Sequence, residues 1–226
     1  MAIHPTKNEA LTNKQTNMET NSYYAAAKRQ MMRQRRFIGW VGVCLPLAVV
    51  ASCLFIPDKP DGWASSMSIT YHLSPVLTAG LCVVAFFLAF YEGYDRSDRV
   101  VNLVAAVSAL MVAFVPCEAG WAPWRIGVLQ LPQPVSNAVH LVSAVVLFGA
   151  LMVNILVNFT KGANARANAY YRLTAALMGL MALLEGISGL TGGWLSMWVF
   201  ELVYLTLFGA AWLVKGKALS RIWRRP

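Results

Sequence analysis

Apolar and polar residues fall along this chain in long blocks rather than in short alternation. Six apolar runs stand at about 37–56, 71–91, 100–115, 137–158, 171–190 and 194–214, each roughly 16 to 22 residues long. About 20 apolar residues in a helix cross a hydrocarbon core of roughly 30 Å. Backbone amides have no water to bond in lipid, so such runs must be helices. The pattern predicts an all-α, six-helix transmembrane bundle over 37–214. It is preceded by a polar tail and basic juxtamembrane helix (1–36) and followed by a basic tail (215–226). The third run is the shortest, because Pro116 limits its extension. Residues 1–22 are Asn/Thr-rich and aperiodic and read as a flexible tail. The segment 23–36 favours helix, ends in a basic cluster, and reads as lying on the membrane surface or continuing into the first span.

Composition agrees: 58% of the 226 residues are hydrophobic and 13% charged, against about 25% charged in soluble domains. Mean hydropathy is +0.52. No room is left for a separate soluble domain. The net charge of +9 would suit nucleic acid, but the basic residues sit beside or between spans, where they serve topology and attract anionic headgroups. Nucleic acid is therefore not an expected partner; membrane lipids are, together with other membrane subunits. Of the 19 Lys and Arg residues, only Lys59 and Arg125 fall opposite the N-terminus in a six-span arrangement. Both termini are accordingly expected in the cytoplasm of a cell whose inner or plasma membrane holds the protein. Trp63, Trp121, Trp124, Trp194 and Trp198 fall toward the outer boundary, and Trp40, Trp212 and Trp223 toward the inner one. A rival reading takes Val50-Ala51-Ser52-Cys53 as a lipobox, with Cys53 lipidated and five spans left. The four cysteines form no C-x-x-C pair.

An ionisable residue inside a span is costly and marks a candidate site. His72, His140, Glu185 and Glu201 qualify, all in the outer half. Glu185 and Glu201 flank the turn at Thr191-Gly192-Gly193, each about 10–12 Å below it. Glu118 and Arg125 lie near the same mouth, so these six residues are the candidate ligand pocket. His72, His140, Glu185 and Glu201 are an acceptable but unpatterned zinc set. The bland alternative makes the carboxylates hydrogen-bonding links between helices. The loop 116–136 reads as an outer-surface connector or a lid, and the turn 91–99 as a solvated charged turn. Asn154 and Asn158 share one helix face and are expected to pack on a neighbour. The inner half offers no comparable series of polar residues for a continuous ion path.

Several short segments carry resemblances. They are Arg35-Arg36-x-Ile38-Gly39, Ser66-x-Ser68-x-x-Tyr71-His72, Tyr91-x-Gly93-Tyr94-Asp95-Arg96, Val139-His140-Leu141 and Phe208-Gly209-x-x-Trp212-Leu213-Val214-Lys215-Gly216. In this order they resemble a bacterial family of small polytopic membrane proteins of unknown function, distantly DRAM-like. Ser68-x-x-x-His72 is similar to an element of the alkaline ceramidase and progestin/adiponectin receptor superfamily. That likeness implies His72 as a zinc ligand with Ser68 in support, but the paired histidines of that superfamily's last helix have no counterpart here. The leading expectation is a non-enzymatic ligand- or lipid-binding protein or accessory subunit, with no catalytic residue assigned. The alternatives are a zinc-dependent membrane hydrolase using His72, His140, Glu185 and Glu201 around a metal-bound water, and an ion or proton pathway.

Overall fold

A computed structural model describes residues 7–218, with side chains from residue 15 onward. Six helices form an up-and-down bundle: α1 (Lys7–Leu54), α2 (Val76–Ala89), α3 (Arg96–Phe114), α4 (Gln133–Val153), α5 (Ala165–Leu190) and α6 (Met197–Lys215). Five of them are long and apolar enough to cross a membrane; α2, with 14 residues, is the shorter exception. The protein is thus an all-α, multi-pass membrane protein.

The apolar run 71–91 is not one helix. A 3₁₀ turn, Ser68–His72, precedes α2, and Pro75 stands at the helix's N-cap, where its missing N–H costs nothing. At the other extreme, α1 runs unbroken through residues that read as an aperiodic tail, for about 72 Å by helix geometry. Its residues 15–30 are exposed on every side, so the first half projects beyond the packed bundle. The expected tail before Lys7 and the basic residues after Ala218, including Arg221, Trp223, Arg224 and Arg225, lie outside the described residues.

Contacts between distant segments define two ends. At the near end, Arg36 Nε donates to the Gly216 carbonyl, and Lys161 pairs with Asp95. At the far end, Met67 N and Ser68 Oγ donate to Glu201, and His72 meets the Cys117 carbonyl. The chain therefore enters at the near end and returns to it after six helices. α1 and α6 form the tightest seam. A Cβ on Gly209 would lie 2.6 Å from both the Gly39 carbonyl oxygen and the Val43 nitrogen, so only glycine permits that approach, as in membrane helix pairs that close on small residues.

The core between the ends is apolar: Ala105, Ala106, Ala109, Leu147, Leu151, Met178, Tyr204 and Phe208 are all buried in one cluster. Trp212, expected at or near the inner boundary, is fully buried in the bundle. Tyr91 and Phe159 meet its ring edge-on at 5.1 and 4.9 Å between centroids. The long loop 116–136 carries a two-residue antiparallel pairing, Arg125–Ile126 against Leu131–Pro132, too brief for any alternation to announce.

Candidate functional site

At the far end, most of the polar residues that the sequence singles out are bonded to connecting segments. The Glu201 carboxylate, 6% exposed, accepts from Met67 N and Ser68 Oγ and so pins the α1–α2 connection to α6. His140 Nδ1 lies 2.8 Å from the Val115 carbonyl and His72 Nε2 lies 2.9 Å from that of Cys117. Ser136 Oγ donates to the carbonyl of Pro116 between them. Three successive features thus tie down the exit from α3, where Pro116 prevents helical bonding. Glu185 is within electrostatic range of Glu201, and its Oε2 is buried with no hydrogen-bond partner among the described residues. Arg125 is exposed and donates to Gln130 in its own hairpin.

The six expected residues are not gathered in the cleft found at this end. A shallow cleft of about 450 Å³ at this end includes Glu118, with Asp61 and Trp121, but none of the other five. Among the described residues, no three His, Cys, Asp or Glu side chains form a group that could hold a metal ion. The arrangement does not fit zinc. Cys117, in this loop, has its thiol pushed up to about 12, by burial first and the charge of Glu201 second.

The near end holds the larger site. A cavity of about 1350 Å³ opens between the first half of α1, the turn after α2, the α4–α5 connection and the end of α6. Arg35, Lys215, Tyr94 and Tyr171 stand in its wall, with Lys28, Arg166 and Lys217 adding positive charge and Glu92 the one acid on the lining among the described residues. Arg35 is 1% exposed. Its Nε donates to Tyr91 Oη at 2.9 Å, and its guanidinium lies over the Tyr91 and Tyr94 rings. Its Nη2 is buried with no hydrogen-bond partner among the described residues. Lys215 reaches this place because α4 ends early. The helix widens into a π turn, Asn154–Asn158, which leaves the Phe159 carbonyl free to accept from Lys215 Nζ at 2.6 Å.

Two turns that wall the cavity are clasped together. Lys161 Nζ donates to Asp95 Oδ2 at 2.8 Å, Asp98 Oδ1 at 2.9 Å and Asn158 Oδ1 at 2.9 Å. The hydrogen bond from Lys161 chiefly holds the Asp95 carboxyl below the usual range, and the same bond raises the Lys161 ammonium. From Asp98 a closed ring of bonds continues through Asn102, Asn154 and Asn158 back to Lys161. Asn154 thus bonds Asn102 on the neighbouring α3, as expected, while Asn158 bonds Asn154 and Lys161. The turn 91–99 is not simply solvated, since Tyr91 and Asp98 are buried. Nor does the near half lack polar residues, although this ring closes on itself. Gly93, at φ +49°, is required where the chain bends around Asp98: a Cβ there would overlap the Asp98 side chain.

Sequence reading missed this site because each member has an ordinary explanation alone: Arg35 as a topology charge, Lys215 as a helix-end cation, Tyr91 and Tyr94 as interfacial aromatics. The available signal was their concentration, with Tyr23-Tyr24 and Tyr170-Tyr171, on one side of the predicted membrane. No family model matches the chain, and neither the curated proteins nor the solved structures yield a match.

Proposed function

We propose that this multi-pass membrane protein is a non-enzymatic binder of anionic ligands, the near-end cavity being its site and membrane lipid headgroups its natural source of anions. The observation that carries this reading is Arg35, a buried guanidinium whose Nη2 has no partner among the described residues and which lines a cavity of about 1350 Å³. A buried charge without a hydrogen-bonded counter-ion is costly, and an arriving anion removes that cost. Basic residues gather at this end, which supports a cytoplasmic orientation for it and contact with the anionic leaflet.

Less supports the alternatives. A hydrolase would need His72, His140, Glu185 and Glu201 gathered around a metal, whereas no three His, Cys, Asp or Glu side chains among the described residues form a group that could hold one. An ion pathway would need a polar track through the middle, where the core cluster is apolar. The test is thermal unfolding of the full chain in neutral detergent, with either an anionic or a zwitterionic phospholipid of the same acyl chains added. Selective stabilisation by the anionic lipid, about 2.7 kcal/mol at a hundredfold excess over Kd, is expected in the parent and absent in Arg35→Gln. Equal stabilisation by both lipids, or an undiminished anionic effect in Arg35→Gln, would overturn the reading.

A further inference from the structure

The charges around Tyr94 are unbalanced in a way that narrows the ligand. Two cations converge on this one ring: the Arg35 guanidinium carbon lies 5.4 Å from its centroid and Lys215 Nζ 4.8 Å. Both side chains are buried. The nearest buried acid, Asp98, is already engaged, since its Oδ1 accepts from Lys161 and its Oδ2 from Tyr94 N. Neither Arg35 nor Lys215 forms an ion pair with a carboxylate among the described residues. What they have instead is neutral: Tyr91 Oη, the carbonyls of Phe159 and Lys161, and aromatic faces. Aromatic faces attract cations but leave their net charge in place.

Two adjoining buried positive charges are best matched by a ligand group carrying two negative ones. A phosphate monoester carries nearly two at pH 7.5, its second ionisation falling near 6, with three terminal oxygens as acceptors; a phosphodiester carries one. Donors suited to those oxygens belong to two residues of the cavity wall. Arg35 retains Nη2, and Lys215 spends its ammonium on two carbonyls, which leaves a third proton. Farther out, Lys28, Arg166 and Lys217 continue the positive lining. The volume exceeds the roughly 300–1,000 Å³ of ordinary small-molecule sites, and Met31, Phe90 and Val214 supply apolar wall for a body beyond the phosphate.

Resting on the anion-binding reading above, we infer that the cavity selects a terminal phosphomonoester borne on a lipid, with the phosphate held between Arg35 and Lys215. The test is equilibrium binding to the full chain in neutral detergent at pH 7.5. The probes are dioctanoyl phosphatidic acid, dioctanoyl phosphatidylglycerol and glycerol 3-phosphate. The monoester lipid is expected to bind about tenfold or more tightly than the diester lipid of identical chains, by the stronger charge-assisted bonding of a dianion. Glycerol 3-phosphate is expected to bind far more weakly than either lipid, having no apolar body to bury. Lys215→Met should erase the preference between the lipids while Arg35-dependent binding of the diester persists.

Equal affinity for the two lipids would overturn the inference and leave the anion-binding reading standing. Binding of both lipids that Arg35→Gln leaves undiminished would overturn that reading itself. Glycerol 3-phosphate binding as tightly as phosphatidic acid would keep the phosphomonoester and overturn its lipid origin. The lipid comparison is made on the parent protein, so the outcome stands even if Lys215→Met fails to fold.

Discussion

At the far end of the bundle, Glu201, His72 and His140 each meet a group on a connecting segment. At the near end, Arg35 and Lys215 lie beside a cavity with donor capacity left over. Both ends place ionisable side chains where lipid or protein surrounds them, so both bear a desolvation cost. The far end offsets it internally, by bonding loops that would otherwise fray. The near end offsets it incompletely, which is how a binding site differs from a structural tie: stability is given up for affinity.

The comparison is broken most forcefully at Glu201. Glu201→Leu removes the acceptor of two donors and should cost about 2–4 kcal/mol in unfolding free energy, while Glu201→Gln, which can still accept, should cost nearer 1 kcal/mol. Neither should alter anion affinity, so a large change in affinity would merge the two ends into one functional unit. Next is Lys161→Met, which leaves the buried Asp98 carboxylate without its cation. A loss of about 2 kcal/mol is expected, below the range for a fully buried pair because Lys161 itself is partly exposed. Unlike the far-end changes, this one should also weaken anion binding, since the clasp joins two cavity walls.

The clasp carries a pH signature. Asp95 has a depressed folded value, so its contribution is present above the unfolded value of about 3.9 and is lost as pH falls through the folded one. Lys161 has a raised value, so its contribution is present below about 10.4 and is lost as pH rises past that into the folded one. The stability gap between the parent and Lys161→Met should therefore hold across neutral pH and close in strong acid. A gap that closes near pH 6 would contradict the clasp.

Arg35→Gln should behave in the opposite sense to Glu201→Leu. It should change ligand-free stability by no more than about 1 kcal/mol, because it removes an incompletely compensated buried charge, yet it should abolish anion binding. The smallest effect concerns Cys117. With its thiol pushed up to about 12, alkylation of the folded protein at pH 7.5 should be much slower there than after unfolding, since the thiolate is the reacting form. Rapid labelling would mean the far-end loop is not held as described.

Helix number was legible in the sequence because block length and charge asymmetry are global signals that single residues cannot disturb. Finer features were not. The break before α2 depends on Pro75 and the 3₁₀ turn, which an apolar run does not reveal. The persistence of α1 through its polar first half was hidden by the lack of periodicity, since a helix exposed all round carries no stripe. Of the far-end candidates, His72 and His140 meet backbone carbonyls and Glu201 a backbone amide beside Ser68 Oγ, and backbone partners are something no side-chain inventory can foresee. The near-end cavity joins residues 35, 91, 94, 171 and 215, whose convergence follows from the glycine-lined α1–α6 seam and the π turn at 154–158.

The most direct measurement is the unfolding midpoint of four proteins, the parent, Arg35→Gln, Glu201→Leu and the double variant, each with and without an anionic phospholipid in neutral detergent. The account predicts a lower midpoint with a preserved lipid-induced shift in Glu201→Leu, a near-parental midpoint with no shift in Arg35→Gln, and additive behaviour in the double variant. A lipid-induced shift that survives in Arg35→Gln, or that disappears in Glu201→Leu, would contradict it.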